Sequence, residues 1–168
     1  MIDFTPSPSQ LETRSSAATF ASTVLSQARS IYEPHNTQSA RFKCTRPLYS
    51  QAVRAGLLKG QIPGPLGGSS GPMVDAAILV EEIYATDPSV ALTILGTGLG
   101  MTPLIFGGSP EQQERLLKPF LAGEGEPLAS LVHSEPQGTA NWLEKGGKGL
   151  GTTARMDGDE WVINGEKV

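Results

Sequence analysis

Ser109-Pro110-Glu111-Gln112-Gln113-Glu114-Arg115-Leu116-Leu117-Lys118-Pro119-Phe120-Leu121-Ala122-Gly123-Glu124-Gly125-Glu126-Pro127-Leu128-Ala129-Ser130-Leu131-Val132-His133 decides the fold, because its hydrophobic period changes partway along. Ser109 as a cap, Pro110 in the first turn, an acid at Glu111 and Gln112 three residues after the cap form a strong helix start. Leu116, Leu117, Phe120 and Leu121 give that helix a buried side, and Gly123 and Gly125 stop it. Leu128 to His133 then reads as a short apolar run of strand type. A helical region therefore ends near residue 125, and a β region begins at 126.

Downstream, Thr152–Met156 and Glu160–Asn164 flank Asp157-Gly158-Asp159 and read as a hairpin. One hairpin and one strand cannot bury a β core alone. With the chain stopping at Val168, the β part is expected to be incomplete. The expected class is α+β: an all-α helical domain over 1–125, followed by the incomplete start of a β-barrel domain over 126–168.

Upstream the pattern is helical. Ser7 to Tyr32 reads as one helix, with Ala17, Phe20, Val24, Ala28 and Ile31 on one face. Pro47 is expected to start a second helix that ends near Gly56, with Leu48, Ala52, Val53 and Leu57 inside. Gly60–Gly71 reads as a loop. Pro72 opens a third helix, with Met73, Ala77, Val80 and Tyr84 on one stripe and Glu81, Glu82 and Asp87 on the wetter side. Pro88 to Pro110 carries no charge and is long enough to span a bilayer. Gly96, Gly98, Gly100 and Pro103 dilute it and no basic flank follows, so a buried helix is expected, its glycines allowing close approach.

Composition narrows the function classes. The chain has 168 residues, 38% hydrophobic, with 20 glycines and 13 prolines. That supports a packed core rather than disorder. The net charge is −4 and the 13 basic residues are scattered, so the footprint of a nucleic-acid binder is missing. One cysteine, Cys44, excludes an internal disulfide framework and a cysteine-based zinc module. A reducing compartment is expected; cytoplasmic placement fits, with peroxisome and mitochondrion left open. No membrane partner is expected.

Most candidate chemistry falls away on inspection. Gly146-Gly147-Lys148-Gly149 lacks the Ser or Thr that a P-loop needs after the lysine. Gly96-Thr97-Gly98-Leu99-Gly100 has Met101 where a dinucleotide fingerprint needs its last glycine. His133 and Glu135 would share a strand face but have no third ligand nearby, so no metal site is expected. Consecutive His133 and Ser134 point to opposite strand faces and cannot act as base and nucleophile. What remains is Leu131-Val132-His133-Ser134-Glu135-Pro136-Gln137-Gly138-Thr139-Ala140-Asn141-Trp142. Its strand-end amides and the hydroxyls of Ser134 and Thr139 offer donors to a planar polar ligand. On the residues alone, an ordinary strand-to-loop transition is the stronger reading.

Several motifs resemble the acyl-CoA dehydrogenase superfamily, and the nitroalkane oxidases most closely. They are Gly56-Leu57-Leu58 with Ile62-Pro63 and Leu66-Gly67-Gly68, then Glu81-Glu82-Ile83, Leu117 to Glu124, and Asp159 to Lys167. Ser134-Glu135-Pro136 matches the dehydrogenases' flavin strand, whereas the turn after it departs from them. His133-Ser134-Glu135-Pro136, Gly138 to Leu143 and Lys145-Gly146-Gly147 look instead like nitroalkane oxidases. The resemblance implies FAD, with Leu131, Val132, His133, Ser134, Thr139, Ala140 and Asn141 in the cofactor site. It implies oxidation of a nitroalkane to an aldehyde or ketone, nitrite and hydrogen peroxide, by a homo-oligomer. It assigns no catalytic residue within this chain, because the family's base belongs to a C-terminal helical domain. An acyl-CoA dehydrogenase fragment, or a short non-catalytic helical module, are the alternative readings.

Overall fold

The computed structural model describes residues 5–136, 145 and 149–168. The chain divides into two units, Met1–Ser130 and Leu131–Val168. The first is helical and the second holds a two-stranded sheet, which makes the class α+β.

The helical unit contains α1 (Pro8–Thr23), α2 (Ala28–Tyr32), α3 (Gln38–Arg54), α4 (Met73–Thr86), α5 (Pro88–Gly107) and α6 (Pro110–Leu121). The single helix expected over 7–32 is instead broken at Val24, where a 3-10 turn over Leu25–Gln27 intervenes. The cause is a run of Ser and Thr. Thr23 Oγ1 donates to Thr19 O, Ser26 Oγ to Ser22 O and Gln27 Nε2 to Thr23 O, so side chains compete for the carbonyls of the helix.

Pro47 does not start a helix either. It lies inside α3, which begins nine residues earlier under a Thr37 cap whose Oγ1 accepts from Ala40 N. The proline deprives the Lys43 carbonyl of its helical donor. The buried face just beyond it, Leu48, Tyr49, Ala52 and Val53, holds the helix in place through the core. Pro72 likewise is the cap of α4 rather than its first residue.

Most of the core gathers between α2, α3, α4 and α5: Leu25, Ala28, Leu48, Tyr49, Ala52, Val53, Leu58, Ile83, Val90, Ala91 and Ile94. Each fully buried Leu or Ile there contributes roughly 2 kcal/mol through removal of apolar surface from water. A second cluster of Ile62, Met101 and Leu117 seats α6, whose capping box at Ser109 is complete. Leu117 is buried as expected, but Leu116 faces outward, and so does Met73 on α4.

Helix α5 is long and apolar enough to cross a bilayer by length and composition. In the fold one face is buried, through Val90, Ala91, Ile94, Thr97 and Met101. The opposite face is bare: Leu92 is 61%, Leu99 55% and Phe106 85% exposed. The buried helix of the sequence reading is thus a half-buried one. Its glycines do permit close approach. A Cβ on Gly100 would collide with the backbone of Ala129 and Ser130, and one on Gly98 with the Gln61 side chain.

In the second unit, β1 (Thr153–Asp157) pairs antiparallel with β2 (Glu160–Asn164), Asp157 opposite Glu160. The loop is therefore two residues, Gly158-Asp159, with Gly158 at φ 63°. Glycine first, with a negative φ after it, is the pattern of a II′ turn, whose twist matches that of the strands. Leu128 to His133, read from sequence as a strand, has no regular secondary structure and lies outside any sheet among the described residues. An apolar run has strand propensity, but without a ladder partner it forms no strand.

Candidate functional site

The approach to the site is fixed within the helical unit. The Tyr49 hydroxyl donates to Pro127 O at 2.6 Å and lies 3.0 Å from Thr97 Oγ1. Burial pushes the phenol's pKa up, against the opposing effect of the Thr97 hydrogen bond. Arg46 pairs with Glu126, one residue earlier. Together with the contact at Gly100, these hold residues 126–130 against α3 and α5. Asp87, expected on the wetter side, is only 3% exposed. Its Oδ1 caps α5 by accepting from Val90 N, and its Oδ2 accepts from the Tyr32 hydroxyl.

Within the second unit, Leu131, Val132 and Ser134 are exposed and His133 is half-buried. Among the described residues, no hydrogen bond engages the backbone amides of Leu131, Val132 or Ser134. Two carbonyls, by contrast, are engaged. Lys167 Nζ donates to His133 O at 3.2 Å, and Val168 N donates to Ser134 O at 3.1 Å. The segment therefore presents peptide donors, the Ser134 hydroxyl and two apolar side chains to its surroundings. Thr139, Ala140 and Asn141 lie outside the described residues, as do residues 146–148 of the glycine-rich stretch.

Glu135 follows directly and is 8% exposed. Its Oε1 accepts from Lys167 Nζ at 2.8 Å and from Thr152 N at 3.0 Å, and its Oε2 accepts from Gly151 N. The Lys167 ammonium first, then Thr152 and the Gly151 amide, hold its pKa far below the ordinary 4.5, at about 2. The Thr152 hydroxyl oxygen is buried and has no hydrogen-bond partner among the described residues. One carboxylate thus joins three stretches of chain: the site segment, the residues before β1 and those after β2.

Sequence reasoning weighed Glu135 as a metal ligand, a triad member and part of the flavin-strand match, and met Lys167 only as the end of the hairpin motif. Their 32-residue separation leaves no local pattern to read. The one available signal was a Glu in an otherwise uncharged stretch from Leu128 to Trp142 apart from His133, because a lone acid on an apolar run needs a partner when buried.

A family model described as the acyl-CoA dehydrogenase N-terminal domain matches residues 7–124. The chain belongs to the acyl-CoA dehydrogenase family. Within that family it is 56% identical over 168 residues to the nitroalkane oxidase of Fusarium oxysporum, covering all of this chain and 38% of that one. It is 54% identical to the nitroalkane oxidase of Podospora anserina, covering 99% of this chain and 39% of the relative. A solved structure of the flavoprotein nitroalkane oxidase superposes with a TM-score of 0.92 at 56% identity, over 99% of this chain and 39% of that one. The chain thus spans about two fifths of the length of these relatives, at their N-terminal end.

Proposed function

We propose that this chain carries the cofactor-facing edge of an FAD-dependent oxidase acting on nitroalkanes. The observation that carries the reading is the segment Leu131–Ser134, in which the amides of Leu131, Val132 and Ser134 are unengaged among the described residues while the carbonyls of His133 and Ser134 are tied down. That donor set fits a planar ring with a polar acceptor edge. Val132 N, Ser134 N and the Ser134 hydroxyl would meet the edge, and the exposed Leu131 and Val132 side chains would cover apolar surface. His133 belongs to the same segment, and Thr139, Ala140 and Asn141 join the set through the family resemblance. The similarity to a flavoprotein at 56% identity supports the same cofactor.

FAD supplies the electron-accepting ring. Fixed donors at its polar edge favour the negative charge that builds there on reduction, without reorganising during the reaction. The overall conversion joins a nitroalkane, oxygen and water to give an aldehyde or ketone, nitrite and hydrogen peroxide. Its first step needs a carboxylate to remove a proton beside the nitro group. Glu135 is not that base, because a carboxylate held at a pKa of about 2 by three donors is a structural anion. By the same family analogy the working protein is a homo-oligomer with a small-molecule substrate.

The test uses the protein isolated from its natural source. It is expected to retain FAD and to release nitrite from nitroethane with consumption of oxygen. Flavin bleached by an acyl-CoA and not by nitroethane would overturn the substrate class. Protein that neither retains nor takes up FAD would overturn the cofactor.

A further inference from the structure

We infer that Glu135 and Lys167 are positioning residues, a clasp that sets the Leu131–Ser134 edge in register for its cofactor. The inference rests on the FAD reading and goes beyond it by naming what holds the binding edge in shape. A four-residue segment outside any sheet has no ladder to fix its dihedrals, and donors that wander cannot be preorganised. Here two carbonyls of the segment are gripped, His133 O by Lys167 Nζ and Ser134 O by Val168 N. Both grips come from adjacent residues just past β2.

The first of them, Lys167, is itself held by Glu135. Its carboxylate takes Lys167 Nζ on one side and the amides of Gly151 and Thr152, at the entry to β1, on the other. The open end of the hairpin is thereby closed on the residue that follows Ser134. Gly165 makes the closure possible, since a Cβ there would overlap Thr152. Lys167 is the only side chain among the described residues that bonds both the carboxylate and the segment's backbone. The clasp occupies carbonyls and leaves the amides of Leu131, Val132 and Ser134 unengaged among the described residues. Neither residue has to touch the cofactor to act.

The experiment titrates FAD into the full 168-residue chain and follows affinity, the visible circular dichroism of bound flavin, and amide exchange across 131–134. Lys167→Met removes one charge-assisted grip and is expected to weaken FAD binding by about tenfold. It should also speed exchange at Val132 and Ser134 and alter the flavin dichroism, while the helical unit keeps its thermal transition. Lys167→Arg, which retains donors for both oxygens, is expected to restore all three readings. Should Lys167→Met lose the hairpin, Lys167→Gln takes its place: it keeps a neutral donor and is expected to fall between Met and wild type. A wild-type chain that binds FAD, beside a folded Met or Gln variant of equal affinity and identical dichroism, overturns the clasp and leaves the cofactor reading standing. A wild-type chain that binds no FAD overturns the cofactor reading itself, and the clasp's assigned role with it.

Discussion

The helical unit and the β unit are stabilised by different physics. In the first, apolar faces of α2 to α5 close over side chains that are fully buried, Ile83, Ile94 and Leu58 among them. In the second, every residue of β1 is exposed, and of β2 only Val162 is half-covered. There the most buried described side chain belongs to an anion, Glu135. One region is stable because water is excluded. The other is held by a two-residue turn and a charged clasp. The contrast teaches where sensitivity to each perturbation should lie: cavities and collisions in the helices, pH and charge in the β unit.

The comparison breaks most readily at the core. Ile83→Ala is expected to destabilise the helical unit by about 2 to 5 kcal/mol, through lost burial and the cavity left behind. Denaturant unfolding followed by far-UV circular dichroism measures this. A value under about 1 kcal/mol would mean that the site collapses freely and the core is looser than described. Next comes Gly100→Ala, where the new methyl meets the backbone of Ala129 and Ser130 rather than a yielding side chain. A loss of about 1 to 3 kcal/mol is expected from the same melt.

The β unit should answer to acid instead. The pKa of Glu135 is depressed in the fold, so its contribution is complete above the unfolded value near 4.5 and disappears as the pH falls toward about 2. Hydrogen exchange of β1 and β2 amides should therefore speed up across that window, and Glu135→Gln should remove the pH dependence. An unchanged profile in the variant would place the acid sensitivity elsewhere. The smallest effect is expected at Trp161, which is 65% exposed opposite Met156. Trp161→Ala should cost less than about 0.5 kcal/mol in the isolated chain, and a larger loss by thermal melt would show that the hairpin buries more than its exposure indicates.

Legibility in the sequence followed the range of the interactions. The start of α6 was readable because Ser109, Pro110 and Gln112 carry the whole capping device within four residues. The hairpin was readable for the same reason, its turn being local to Gly158-Asp159. The start of α3 was misread because Pro47 is a strong local signal, while the core contacts that override it come from other helices. The buried state of Asp87 depends on Tyr32, 55 residues away, which no period could reveal. The site divided the same way. Leu131 to Ser134 stood out by composition and by family resemblance. The clasp did not stand out, because Glu135 and Lys167 meet only once the hairpin has folded back.

The most direct measurement is amide hydrogen exchange of the chain with and without added FAD. The account predicts slower exchange at Val132 and Ser134 when FAD is present, with no change at the amides around Ile83 and Ile94. FAD that binds and leaves Val132 and Ser134 exchanging as before would contradict it.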